Sequence, residues 1–266
     1  MLLALFGLLA VGIVTGVLGG YLGIGGALII TPVLLAVAHA QQIPESVLYP
    51  LVFSSTLFAI LGTSVSAGVT YARAKRVHWG AFKVLALSAL LFSFAGSSLA
   101  VKSAPETLRT TFAIFALISA AIFVSPLKGH DGGEYHFHVL PYMLLGAATG
   151  FLSAYIGVAG GVLMVPVMLF VIKTPAEFAV GTSSMIGVVT SLAGMTGYIV
   201  SGWNATGLPE GSIGYVYPAY ALPVLIGTLI GGPFGSKLNQ RGSVRAFRWL
   251  FAAYLLIVAI RMLWRD

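Results

Sequence analysis

The chain has 266 residues, 58% of them hydrophobic and only 8% charged, with no cysteine. So few charges cannot cover a water-soluble domain of this length, which places the chain in a membrane, and the missing thiols exclude disulfides, thiolate metal sites and thiol relays. The formal net charge of +7 is read first as basic loops that orient membrane segments and second as a field favouring anionic solutes.

The first stretch, MLLALFGLLAVGIV, has neither a basic leader nor a small-residue cleavage site. It reads as a retained membrane segment, not a signal peptide. Apolar runs fall at about 1–18, 20–38, 47–71, 80–101 and 109–125, then at about 139–156, 158–172, 178–201, 214–235 and 246–263. They are apolar on every face, unlike the alternating strands of a membrane β-barrel, so the expected class is an all-α polytopic membrane protein. A polar linker, 126–138, separates a first transmembrane repeat, 1–125, from a second, 139–266.

Residues 16–35, GVLGGYLGIGGALIITPVLL, recur as 150–169, GFLSAYIGVAGGVLMVPVML. Eight positions are identical without a gap: Gly16/Gly150, Leu18/Leu152, Tyr21/Tyr155, Gly23/Gly157, Gly26/Gly160, Pro32/Pro166, Val33/Val167 and Leu35/Leu169. Matching apolar segments interrupted by glycine in two halves of a chain mark the binding site of a secondary transporter. Further along, Ser54-Ser55 corresponds to Ser183-Ser184, Gly96 to Gly232, and Leu108-Arg109 to Val244-Arg245.

The glycines let the backbone leave the helix, and a helix restarting after the break offers unpaired N–H groups and a positive dipole end to an anion. Gly23, Gly25 and Gly26, with Gly157, Gly160 and Gly161, are therefore candidate substrate-binding positions, together with Tyr21 and Tyr155. The alternative is that the glycines serve only close helix packing. Ser54, Ser55 and Thr56, and Thr182, Ser183 and Ser184, could give hydroxyls to the same cavity or bond back to their own helices. Pro32 and Pro166 read as bends in the second arm of each broken segment. Glu45 and Glu177 open the third segment of each half, as N-terminal caps or as proton-coupling groups. His130, Asp131, Glu134, His136 and His138 in the linker could hold a divalent metal, though loose spacing favours a solvated loop. No zinc-protease, nucleophile-elbow or Walker motif occurs, so no enzyme, cofactor or resident metal is expected.

The positive-inside rule bears on orientation. An inverted pair of repeats, termini outside, puts nine Lys and Arg on one side and five, Lys173 among them, on the other. A parallel pair splits them seven and seven, so inversion is expected, with the Gly-rich segments tilted, broken or re-entrant.

The duplicated G-x-x-G-x-G-G with its downstream proline, the Ala179-Val-Gly-Thr-Ser183 run and the basic Tyr71–Trp79 stretch together resemble the sulfite exporter TauE/SafE family, also called the TSUP family of anion permeases. The resemblance spans both halves. It implies a multi-pass permease of a prokaryotic cytoplasmic membrane that carries sulfite, sulfonates, sulfoacetate or related carboxylate anions. It maps onto Gly23, Gly25, Gly26, Gly157, Gly160, Gly161 and Thr182-Ser183, while Phe53 stands where the second half has Thr182 and Ala159 stands opposite Gly25. The partners implied are a small anion and the lipid bilayer, with no nucleic acid. A passive anion channel and a metal transporter using the histidine linker are the alternatives.

Overall fold

The computed structural model describes residues 2–124, 138–240 and 245–264. Every long element is helical. The first half contains α1 (Leu2–Leu22), α2 (Ala27–Ala40), α3 (Glu45–Arg73), α4 (Trp79–Lys102) and α5 (Pro105–Val124). The second contains α6 (Val139–Tyr155), α7 (Gly161–Pro166, prolonged by a wide turn over Val167–Val171), α8 (Ala176–Ser201), α9 (Pro218–Gln240) and α10 (Arg245–Leu263). Six of these, α1, α3, α4, α5, α8 and α9, are long and apolar enough to cross a bilayer.

The shorter helices belong to hairpins. Near the start of α6, the Tyr142 hydroxyl lies 2.7 Å from Thr174 Oγ1, just beyond α7. The chain thus returns to the side from which α6 set out. Three long helices follow each hairpin, an odd number of crossings, so the second half starts from the face opposite the first. The contact between α3 and α8 agrees. A Cβ on Gly68 would meet Met185, one on Gly187 would meet Ser64, and one on Gly194 would meet Leu57. Descending α3 therefore means ascending α8: the two helices run antiparallel, an arrangement consistent with inverted repeats.

The halves are interwoven by small residues. Along α1, Gly12, Gly16 and Gly20 face α9 at Val224, Thr228 and Gly232, close enough that a Cβ on any of them would strike backbone. In the equivalent contact of α4 with α6, Ser93 Oγ donates to the carbonyl of Gly150 at 3.0 Å. Bilayer lipid supplies no hydrophobic drive between helices, so backbone proximity and interhelical hydrogen bonds carry the association. Two buried tyrosines show how closely the halves correspond. Tyr71 in α3 donates to the carbonyl of Gly20 at 3.0 Å, and Tyr198 in α8 to that of Ala154 at 2.9 Å. Gly20 and Ala154 are equivalent positions of the repeat.

Two expectations from the sequence need adjusting. The run expected at 214–235 begins as loop: residues 202–217 link α8 to α9, closed by paired backbone bonds of 2.8 and 3.0 Å between Ile213 and Val216. Lys173 lies between Phe170 and Glu177, which line one cavity with Arg76, so it belongs to the Arg76 side because the hairpin turns back. Pro166 does end regular α-helix and start the wide turn, whereas α2 passes through Pro32.

Candidate functional site

Both repeats break where the glycines sit. Gly23, Gly25 and Gly26 take φ of 73°, 75° and 85°, and Gly157 takes 65°, the left-handed region where a side chain is strained. The turns close alike: Ile24 N–H donates to Gly19 at 3.1 Å, and Val158 N–H donates to Ser153 at 2.9 Å. Gly26 and Gly160 precede α2 and α7, and no side chain caps either start. First-turn N–H groups have no acceptor within their own helix, so these two starts carry partial positive charge.

The breaks touch. A Cβ on Gly161 would overlap the carbonyl oxygen of Gly23, with Ile24 Cα 3.1 Å away, and one on Gly25 would lie 2.7 Å from the Ala159 methyl. Each break also packs on the third helix of the opposite half, Gly23 against Val180 and Ser183 of α8, Gly157 against Phe53 of α3. A cavity of about 430 Å³ reaches this contact from one face, lined by Tyr21, Ile24, Gly161 and Val162 and, further out, by Arg76, Glu177 and Asn239. A narrow waist, too tight for a water molecule, adjoins the same two breaks at Gly23, Gly25 and Ala159 and is lined also by Gly19, Thr63, Ser64, Ser183, Ser184 and Gly187.

The expected site residues divide into two groups. Tyr21, Gly23, Gly25, Gly161, Ser183 and Ser184 line the cavity or the waist, and Ser183 Oγ donates to Gly23 O at 3.1 Å. The others face elsewhere. Gly26 and Gly160 pack on Thr15 and Thr149, inside their own hairpins. Thr182 Oγ1 accepts the His78 N–H at 3.0 Å, and Tyr155 donates to Ser103 at 3.0 Å. Ser54 donates to the Tyr215 carbonyl, and Ser55 accepts the Tyr217 N–H at 2.9 Å. These last two tie α3 to the 202–217 loop. Aromatic packing of Phe53 on Phe112 and of Tyr198 on Tyr215 fills the same region. The cavity therefore opens to the glycine contact from the Arg76 side, while the 202–217 loop is packed against α3 and α8.

Glu45 and Glu177 stand in the first turns of α3 and α8, where a carboxylate complements the helix dipole, and Glu177 also lines the cavity. His130, Asp131, Glu134 and His136 lie outside the described residues. Among the described residues no three histidines or carboxylates come together. Sequence reasoning passed over Arg76, Asn239, Thr63 and Ser64. Thr63-Ser64 had a signal available, since the pair recurs as Thr190-Ser191 with Tyr71/Tyr198 at the same spacing.

The model of the family described as sulfite exporter TauE/SafE matches residues 8–262. The chain belongs to that family. A probable membrane transporter protein of Methanocaldococcus jannaschii is 30% identical over 96% of this chain and 94% of its own length. One from Haemophilus influenzae is 29% identical over 96% of each chain, and YunE of Bacillus subtilis is 24% identical over 97% of each. No solved structure matches the chain. This family member is a multi-pass membrane transporter and not an enzyme.

Proposed function

We propose that the chain is an alternating-access permease for small oxyanions, such as sulfite, sulfonates or sulfoacetate, with one face open in this conformation. One observation carries the reading: the open cavity ends on the contact between the two glycine breaks, and Arg76 is the cation on its wall. An anion entering there meets the Arg76 guanidinium, which faces the same cavity as the Glu177 carboxylate and offsets it, and then the start of α7 at Gly161 and Val162, where backbone N–H groups are donors. Tyr21, Gly23, Gly25, Ser183 and Ser184 would form the inner contact. Gly26, Gly157, Gly160, Tyr155, Ser54, Ser55 and Thr182 would act from behind, by shaping the breaks and latching the far face.

The repeats are inverted in this reading. With Lys173 on the Arg76 side, the fourteen basic residues divide ten to four in chain order, which supports a cytoplasmic Arg76 face in a prokaryotic cell. The open cavity then faces the cytoplasm, and the 202–217 loop shuts the outer face. A waist too narrow for water supports a carrier over an open channel, since a path closed on one side must change shape for each ion passed.

Purified protein reconstituted into liposomes tests this. Labelled sulfite should enter faster than in protein-free vesicles, saturate with concentration and accelerate against internal unlabelled sulfite. Flux that never saturates and shows no counterflow would make the protein a channel. No flux of sulfite, small sulfonates or carboxylates would overturn the permease reading.

A further inference from the structure

Six buried side-chain polar atoms have no hydrogen-bond partner among the described residues; Ser212, Tyr220 and Gln240 supply three, and the other three are the hydroxyls of Thr63 in α3, Ser153 in α6 and Ser191 in α8. These last three residues are 1%, 2% and 1% exposed. Buried polar atoms in a protein interior are almost always paired, and in a membrane no nearby water makes good the loss, so three orphans in related places call for an occupant. Their places are related by the repeat. Thr63 lines the waist beside Gly19 and Ser64. The repeat equivalents of Gly19 and Ser64 are Ser153 and Ser191. The unpaired hydroxyls thus occupy the waist and the positions that mirror it in the other half, about the crossing of α3 and α8.

The waist also carries no charge. Its lining is glycine, alanine, serine and threonine alone, and Arg76 stands outside it on the cavity wall. The energy of taking an ion out of water grows with the square of its charge, so a dianion pays roughly four times what a monoanion of the same size does. Hydroxyls and backbone dipoles can replace part of the hydration of one charge but lack the full countercharge that two would need.

We infer that Thr63, Ser153 and Ser191 line successive steps of the translocation path, and that the path accepts its oxyanion singly charged: sulfite as hydrogensulfite, simple sulfonates as they are, and sulfoacetate only with its carboxyl protonated. The inference rests on the permease reading and deepens it. Each hydroxyl replaces a water on the passing ion, Thr63 on the open side and Ser153 and Ser191 beyond it. The glycine walls let the ion reach backbone, and the neutral lining rejects sulfate while passing hydrogensulfite.

Liposomes containing the full chain, with labelled sulfite as the probe between pH 6 and 8 and protein-free vesicles as the blank, test both parts. Thr63→Val keeps the shape and removes the hydroxyl, so KM should rise about ten-fold, the loss of one hydrogen bond to a charged group. Thr63→Ser should restore it, and Ser191→Ala should slow maximal flux. Wild-type rates at fixed total sulfite should fall as pH rises and the dianion replaces hydrogensulfite, and sulfate should not compete. Unchanged kinetics in Thr63→Val and Ser191→Ala, with wild-type flux intact, would remove these residues from the path and leave the permease reading standing. Rates that follow the dianion, or competition by sulfate, would overturn the charge selection. Absence of flux in the wild type would overturn the permease reading and this inference with it.

Discussion

Substituting Gly161 by alanine adds one methyl where the two breaks meet. The new Cβ would overlap the Gly23 carbonyl oxygen and lie 3.0 Å from its carbon and 3.1 Å from Ile24 Cα, inside the 3.4 Å at which ordinary contact begins. All three atoms are backbone, so no side chain can swing aside and the hairpins must part. Overpacking of this kind costs about 1–3 kcal/mol. If the cost falls on the conformation in which the breaks touch, that conformation loses a factor of about 5–150 in population. Maximal flux into liposomes should drop by that order, while the apparent melting temperature in detergent falls only modestly. Gly7→Ala is the control, since a Cβ there meets nothing within 4 Å, and it should leave flux and melting unchanged. Wild-type flux in Gly161→Ala would refute the claim that transport depends on this contact.

Arg76→Gln should raise KM for sulfite by about three- to ten-fold at low ionic strength, and added salt should shrink the difference, because a partly exposed charge is screened. Equal KM values at low salt would remove Arg76 from anion capture. Tyr71→Phe and Tyr198→Phe each delete one buried hydrogen bond to an equivalent carbonyl, so each should cost about 1 kcal/mol of stability, read as similar shifts in melting temperature. A large loss in one and none in the other would mean that the two contacts are not equivalent. Because the chain has no cysteine, single cysteines report access without background. Val165→Cys, on the cavity wall, should react rapidly with a charged thiol reagent, and Phe53→Cys, fully buried on the shut face, slowly; the reverse order would mean that the other face is open.

Much of this architecture was legible before the fold. Glycine at 23, 25, 26 and 157 announces backbone that no other residue adopts cheaply, and repetition in register with Tyr21/Tyr155 and Pro32/Pro166 announces two copies of one unit. Composition put the chain in a membrane, and runs apolar on every face then dictated helices, which satisfy their backbone within each segment. Less legible was which copy of each motif meets the cavity. Ser54-Ser55 and Ser183-Ser184 look alike in sequence. Yet Ser183 touches a glycine break while Ser54 holds a loop 161 residues away. The register that pairs Tyr71 with Tyr198 and Phe53 with Val180 makes Thr56, not Ser54, the counterpart of Ser183, so the likeness of the two serine pairs misaligns α3 and α8 by two residues, and local periodicity says nothing about what a distant loop will cover. Arg76 was hidden for the same reason: it reads as one more basic loop residue until α8 and α9 bring Glu177 and Asn239 around it.

Unequal loops also constrain how the two faces alternate. Residues 202–217 span the distance from α8 back over α3, where Ser54 and Ser55 fasten them. The equivalent connection between α3 and α4 is only 74–78. Its end is bonded to α8 from the His78 N–H to Thr182, and it is too short to cover the cavity as its counterpart covers the end of α3 at Ser54 and Ser55. Exact exchange of conformations between the halves is therefore impossible, although their helices correspond. Under the proposed alternating access, the Arg76 face would close by moving its own walls, the α7 segment carrying Val165, Leu169 and Phe170 toward Tyr21 and Phe123. The wide turn at Val167–Val171, directly after Pro166, is where that segment is least bound to regular helix. In the proposed cycle, closing one face would bend a helix and opening the other would release a loop. The two barriers are set by different residues, so substitutions at the turn should alter closure of the cavity and those at Ser54 or Ser55 the opening of the outer face.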